Sequence, residues 1–427
     1  MEIKSACSGG ALRLGYIRIV RRFLWFPGSW PGRALGERVP PLIRYHQYQI
    51  QVQTLLILVG QILYLAEYHE TMSFLTIGHV YITTFLAFLT SVRVLVPLLP
   101  GYKKVVKTFL MEFHLFYHQH KGTYEKQIAM YWDKYSYVLT LFQMAMVVLG
   151  MTLFNLLPVY KSYRAGAFTA WDLTNKTLEY SIYYTLPGFN CLDHFYIATT
   201  LNLYLSYITS CSICTLDLLL ILIVFQIIGH IQILKYNIEN IPTPSRSVSI
   251  FVTEFSLSST SNVTVQLYNK EENYVIKQKL IGFISHHRFI ISFADRVSSL
   301  FGAMLAFNYL FQLVSGCVLL LECSSMDPDA LARFGPLTCI VFGELIQISI
   351  IFEYIGYISE KLIDAVYCMP WESMDVSNQK TVKFFLSRIQ TPIQLTAMGI
   401  VPVGVQTMLG ILKTTLSYFA LLKSISE

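Results

Sequence analysis

The sequence predicts an all-α integral membrane protein: seven transmembrane helices, N-terminus cytoplasmic and C-terminus extracellular, with a helical domain on the cytoplasmic side. Three observations carry this. The chain has 427 residues, 54% of them hydrophobic and only 14% charged, and its mean hydropathy is +0.49. A soluble globule carries about 25% charge, so this chain lacks the polar surface that water requires. Seven apolar stretches, at 46–66, 72–99, 135–159, 195–222, 297–321, 335–357 and 399–423, are long enough to cross a membrane. A helix needs about 20 residues to cross a hydrocarbon core of roughly 30 Å. Lys and Arg are split between alternate connections as 25 against five, with Arg93 and Lys413 inside spans. Positive charge stays cytoplasmic, so the split sets the orientation.

Each element follows in turn. Residues 1–45 form a cytoplasmic N-terminus in which Arg13, Arg18, Arg21 and Arg22 interrupt every apolar run, which excludes a signal peptide. The connection at 103–134 has Val106, Phe109, Leu110, Phe113 and Phe116 at helical spacing. Its His114, His118 and His120 read as a solvated polar face, because a metal needs a fourth ligand that the sequence does not supply. In the extracellular connection at 160–194, Trp171, Tyr180, Tyr183, Tyr184 and Pro187 suit a lid over the membrane mouth. Asn175-Lys176-Thr177 is a glycosylation sequon on that side, whereas Asn262-Val263-Thr264 falls on the cytoplasmic side and should stay unmodified. Span four runs on through Phe225 and Ile228 to Leu234, beyond the bilayer. Pro242, Pro244 and a Ser/Thr run give 242–264 the makeup of a flexible insertion. The extended fourth helix, 265–296 and 359–392 pack as the cytoplasmic helical domain.

Several functions are excluded. Nucleic acid needs a clustered basic face, and these Lys and Arg are dispersed despite a net charge of +6. A G-protein-coupled receptor has the opposite orientation and an acidic-Arg-Tyr box that is lacking here. No P-loop, dinucleotide fingerprint, nucleophile elbow or zinc-protease helix is present, so no catalytic residue, cofactor or metal is expected. Cys211 and Cys214 have redox spacing but lie inside a span, where packing explains them. Cys191 and Cys323 both fall on the oxidising side, where a disulfide between them is feasible.

Span seven carries a stripe on one helical face: Gly404, Thr407, Gly410, Thr414, Ser417, Leu421 and Ser424. Small residues let membrane helices approach closely. The same stripe also suits a water-lined pore wall with a hydrophobic constriction at Leu421, which requires several copies around an axis. Both readings stay open on the residues alone. Asp217, Glu344 and Lys413 are ionisable groups within spans, where function is the default suspicion. Glu344 and Lys413 sit at similar depth and are expected to pair.

Ala365-Val366-Tyr367, Pro370-Trp371, Pro392, Leu395-Thr396-Ala397, Pro402 and the closing Ser417-Tyr418-Phe419-Ala420-Leu421-Leu422 resemble the signature of insect odorant receptors. Gly28-Ser29-Trp30-Pro31 and Asp217 resemble that family as well. Leu422-Lys423 replaces the Gln-Phe pair of the related gustatory receptors, and the fourth connection is shorter than that of the family's shared co-receptor. The resemblance therefore implies a ligand-tuned odorant receptor subunit. It implies an odorant-gated, non-selective cation channel in the plasma membrane of sensory neurons, assembled as a heterotetramer with the co-receptor. It implies a single receptor unit over 1–427, with spans one to six and the ligand pocket in 46–358 and anchor segments at 235–296 and 359–398. The pore-lining seventh span occupies 399–424, with its constriction at Leu421 and Ser424 one turn further out. A small volatile ligand would sit among Phe74, Ile77 and Tyr81 of span two and Val147, Gly150 and Phe154 of span three, with Tyr204 and Tyr207 of span four and Phe342 of span six. The alternatives are a membrane transporter with a midplane site at Asp217, Glu344 and Lys413, and a structural membrane scaffold.

Overall fold

The computed structural model describes residues 10–72, 74–168, 178–189, 191, 193–253, 260–324 and 328–426. Its helices are α1 (Gly15–Trp25), α2 (Pro41–Tyr68), α3 (Phe74–Leu95), α4 (Pro100–Thr108), α5 (Thr123–Arg164), α6 (Phe195–Glu239), α7 (Lys270–Ser324), α8 (Pro328–Tyr367), α9 (Val376–Ile389) and α10 (Val405–Ser426). The strands β1 (Arg246–Thr253) and β2 (Thr260–Leu267) pair antiparallel, and β3 (Thr396–Ala397) pairs with β4 (Val401–Pro402). Among the described residues, α2, α3, α5, α6, α7 and α8 are long and apolar enough to cross a membrane, and α10 adds a helix of 22 residues. Leu141, Val148, Leu149, Leu153 and Leu156 of α5 are each at least 40% exposed. A stripe of that size would be unstable in water but matches a lipid-facing helix. The protein is an all-α multi-pass membrane protein.

The helices outrun the bilayer. With 55 residues, α7 is about 82 Å long at 1.5 Å per residue. The excess lengths of α5, α6, α7 and α8 gather at one end of the bundle, the base, together with α1, α4 and α9; the opposite end is the rim. Helix α6 is central, buried along most of its 45 residues. Tyr16, Ile17, Val20 and Leu24 of α1, Phe109 and Phe113, Phe293 of α7 and Val382 and Phe385 of α9 share one apolar core with it. Helix α1 is amphipathic: those four apolar residues face the core while Arg18 and Arg22 stay exposed.

Two expectations about the base are corrected. The stretch read as a flexible insertion forms the β1–β2 hairpin, in register from Arg246↔Leu267 to Thr253↔Thr260. Ser247-Val248-Ser249-Ile250 alternates with period two, a strand signal that Pro242, Pro244 and the Ser/Thr content masked. Residues 254–259, between the two strands in sequence, lie outside the described residues. Of the histidines in the 103–134 connection, His120 is exposed and His118 half-buried, but His114 does not lie on a solvated face. A π-turn at Phe109–Phe113 ends the helix, which breaks the expected register and turns His114 inward to 3% exposure. His114 Nδ1 accepts from the Phe116 amide at 3.1 Å, so Nε2–H donates to the Tyr16 hydroxyl at 2.6 Å. His230 Nε2–H donates to the Phe113 carbonyl at 2.7 Å, and its Nδ1 accepts from His286 at 3.0 Å. Burial holds the His114 imidazole down to about 3 and those of His286 and His287 down to about 4.

Candidate ligand cavity and pore wall

Near the rim, α2, α3, α5, α6 and α8 border a cavity of about 160 Å³. Its walls are the faces that each helix turns inward: Gln53, Ile57 and Gln61 of α2, Ile82, Leu86 and Thr90 of α3, and Val147, Gly150 and Phe154 of α5. Each trio follows the three-to-four-residue spacing of one helical face. Leu205 and Thr209 of α6 and Leu337 and Ile340 of α8 complete the wall. Among the described residues lining it, none is charged. The rim segment 178–189 covers it. Ile182 enters the lining, its carbonyl accepts from Asn202 Nδ2 at 3.1 Å, and the Thr185 amide donates to the Gly60 carbonyl at 3.0 Å. His79 Nε2–H donates to the Ser181 carbonyl at 2.8 Å while its ring stacks on Phe154, 5.8 Å between centroids. One side chain thus ties the cover to an aromatic wall. This is the part of the expected lid that the structure describes; Trp171 lies outside the described residues.

One helical turn below the cavity lies a charged cluster. Arg93 is three residues beyond Thr90, Asp217 three beyond Cys214 and Glu344 four beyond Ile340, and Thr90, Cys214 and Ile340 all line the cavity. Arg93 Nη1 donates to Asp217 Oδ2 at 2.6 Å and to the Ile213 carbonyl at 2.8 Å, while Nη2 donates to Asn308 Oδ1 at 2.8 Å. Glu344 stands beside Asp217. The cluster therefore joins α3, α6, α7 and α8 beneath the cavity floor. On α8, Glu353 continues the connection: its Oε2 accepts the Val405 amide at 3.0 Å, at the first residue of α10. A carboxylate at a helix N-terminus is stabilised by the helix dipole. The β3–β4 turn before α10 seats closely on α7, where a Cβ at Gly302 would lie 3.0 Å from the Met398 amide nitrogen.

Helix α10 packs on α7 and α8 by one side only, with Thr415 buried against Gly316. Gly410, Ser417, Leu421 and Ser424 lie exposed, Leu421 at 53%. Thr407 and Thr414 are half-buried. The hydroxyls of Thr414, Ser417 and Ser424 donate back to the carbonyls of Gly410, Lys413 and Leu421. Gly404 departs from the stripe: it is buried against the Glu353 carboxylate, which would have to shift to admit a side chain there.

Comparison with known proteins follows this geometry. The family model for 7tm Odorant receptors matches residues 73–416. The chain belongs to the odorant receptor family. Odorant receptor 42a of Drosophila melanogaster is 26% identical over 160 residues, 37% of this chain and 38% of that receptor. Odorant receptor 22a of the same organism is 24% identical over 157 residues, 36% of this chain and 38% of that receptor. Odorant receptor 10 of Aedes albopictus is 22% identical over 191 residues, 43% of this chain and 50% of that receptor. The matched part thus spans half or less of the length of these relatives. The structure of the insect olfactory receptor OR5 from Machilis hrabei in complex with eugenol superposes with a TM-score of 0.72, over 97% of this chain and 98% of that chain at 14% identity. A second structure of that receptor matches at a TM-score of 0.72 and 12% identity, over 95% and 97% of the two chains. At such identities the likeness speaks for the fold.

In this odorant receptor the expected ligand residues divide. Val147, Gly150 and Phe154 line the cavity. Ile77, Tyr81, Tyr204, Tyr207 and Phe342 do not. At about 100° per residue, Ile77 and Tyr81 point away from the face of Ile82, Leu86 and Thr90. Tyr81 instead lines a lateral groove with Leu58, Ile62 and Val314, and Ile82 is the wall between groove and cavity. Tyr207 packs edge-on against Phe26 with centroids 4.5 Å apart, and Tyr204 donates to Gln53 at 3.4 Å from outside the lining. Phe342 lies against Gly316 of α7. Phe74 begins α3, and its side chain lies outside the described residues, as does Asn175. Lys413 is exposed on α10 and is not the partner of Glu344, which meets Asp217 instead. Cys191 and Cys323 are free thiols, with Cys323 Sγ 3.5 Å from Thr338 Oγ1. Sequence reasoning missed the whole contribution of α2. The signal was there: Gln53, Ile57 and Gln61 place two amides on one face of an apolar span.

Proposed function

We propose that this chain is the ligand-tuned subunit of an odorant-gated, non-selective cation channel, and that a small volatile molecule binds in the cavity between α2, α3, α5, α6 and α8. The observation that carries this reading is the cavity itself. It is largely apolar, its described lining carries no charge, it lies within one subunit, and it sits one helical turn above the Arg93–Asp217 cluster. Such walls recognise a ligand by burial, with few orienting hydrogen bonds. The eugenol named with the Machilis hrabei receptor is a ligand of that kind of fold and supports the same class of occupant here.

In this reading ligand binds the open arrangement better and shifts the population toward it. Helix α10 lines a central pore, constricted at Leu421, in a heterotetramer with the family's co-receptor. The N-terminus and base lie in the cytoplasm of a sensory neuron and the rim outside, where Asn175 carries a glycan. Whole-cell recording against a volatile panel, with and without the co-receptor, tests the proposal. Ligand-evoked cation current is the expected result. Uptake of a labelled volatile without current would favour a transporter, and neither signal would leave a structural role.

A further inference from the structure

Among the described residues that line the cavity, one fully buried polar atom is left without a partner. Gln61 of α2 is 1% exposed and lines the cavity, yet its Oε1 has no hydrogen-bond partner among the described residues. Thr209 and Ser210 of α6 also turn hydroxyls without a hydrogen-bond partner among the described residues toward the cavity, while the other hydroxyls are committed elsewhere. The hydroxyls of Thr54, Thr83, Thr90 and Ser206 donate to the carbonyls of Gln51, His79, Leu86 and Asn202 at 2.8–3.0 Å. Gln53 Oε1 accepts from Tyr204. Buried amides are nearly always paired, and an unpaired one in an apolar site is costly.

We propose, on the reading of this cavity as the odorant site, that Gln61 selects its ligand and that the selected class is small neutral alcohols and phenols. Charge is ruled out because the described lining offers no countercharge. Size follows from volume. A cavity of about 150 Å³ holds a benzene-sized molecule, and about 160 Å³ here suits roughly six to ten non-hydrogen atoms. The amide sets the functional group. A hydroxyl donates to Oε1 and accepts from Nε2, so it answers both halves. A ketone, aldehyde or ether only accepts and leaves Oε1 unpaired; a hydrocarbon leaves both unpaired. The Thr185–Gly60 bond sets Gln61 against the rim cover, so the hydroxyl lies toward the rim and the apolar remainder lies along Leu86, Gly150 and Ile340.

Two matched triplets test this by whole-cell recording of the full channel: 4-ethylphenol, 4-ethylanisole and 4-ethyltoluene, and hexan-1-ol, hexanal and heptane. The hydroxyl member should have a half-maximal concentration about tenfold below that of the hydrocarbon, the size of one net hydrogen bond. Gln61→Met, of similar shape without the amide, should bring that ratio below about twofold. The ratio is independent of how much channel reaches the surface. Leu156→Ala, on the outer face of α5, should leave it unchanged. If Gln61→Met yields no current, Gln61→Asn, which withdraws the amide by one methylene, should weaken the hydroxyl member more than the hydrocarbon. An unaltered ratio in both variants overturns the proposal, as does a wild-type preference for hydrocarbon, or gating by other volatiles but by neither triplet. Failure of every volatile of every class to gate the channel would sink the odorant-site reading itself.

Discussion

Arg93 of α3 and Asp217 of α6 form an ion pair 2.6 Å long with side chains 0% and 3% exposed, at the level where four helices meet. In hydrocarbon neither group has water to fall back on. Removing one partner of such a pair leaves an uncompensated charge and costs about 3–5 kcal/mol, whereas replacing both with apolar residues is often neutral. Asp217→Leu is therefore expected to lower surface level and melting temperature in detergent sharply. Arg93→Met combined with Asp217→Leu is expected to recover most of the loss. If the double variant is as unstable as the sum of the single ones, the pair is not the unit that holds α3 to α6.

A pocket prediction follows from Phe154. Its ring lines the cavity and stacks on His79. Phe154→Ala removes the wall and one anchor of the rim cover together. Truncating a well-packed Phe costs about 3–5 kcal/mol in a core, but the side chain here already borders a void, so a smaller cost is expected. Odorant potency should change at least tenfold with the reversal potential of the evoked current unmoved. A displaced reversal potential would mean that Phe154 acts on the ion path.

What was legible in the sequence follows from what each feature depends on. Spans and their depth are written in hydropathy, because a segment in lipid must satisfy its own backbone and so shows as a long apolar run. Rotation about the helix axis is not. When every face of a span is apolar, nothing in the pattern distinguishes the wall of a cavity from the side that meets lipid or a neighbour. Gly150 and Phe154 line the cavity, while Tyr81 and Tyr207, at similar depth, turn to a lateral groove and to Phe26. Polar residues in a span do reveal rotation, which is why Gln61 was findable. The Arg93–Asp217 contact joins positions 124 apart, and only packing brings them together.

Acid should loosen the base. His114, His118, His230, His286 and His287 all have imidazoles held below the usual range, chiefly by burial, with neighbouring histidines, Lys121 or Arg388 adding to it. These groups stay neutral in the folded chain while the unfolded chain takes up protons near pH 6.5. Stability is thus complete above about pH 6.5 and falls as pH drops from there toward the folded values near 3 to 4. The melting temperature of the detergent-purified protein should be lower at pH 5 than at pH 7.5. His114→Gln, which removes the titrating group while keeping a side chain able to bond the Tyr16 hydroxyl, should shallow that slope. Identical slopes in both proteins would mean that His114 carries none of it.

The pore assignment stands or falls with Leu421. Its side chain is 53% exposed near the end of α10, on the face that carries Gly410, Ser417 and Ser424 and turns away from α7 and α8. Hydrophobic constrictions close a pore by dewetting, and shortening the side chain widens the gap and admits water. Leu421→Ala, expressed with the co-receptor, is expected to raise basal current before any odorant is added. Leu412→Ala, half-buried on the packed side of the same helix, is expected to reduce expression without basal leak. Unchanged basal and evoked currents in Leu421→Ala would return the stripe to its other reading, a close contact between helices.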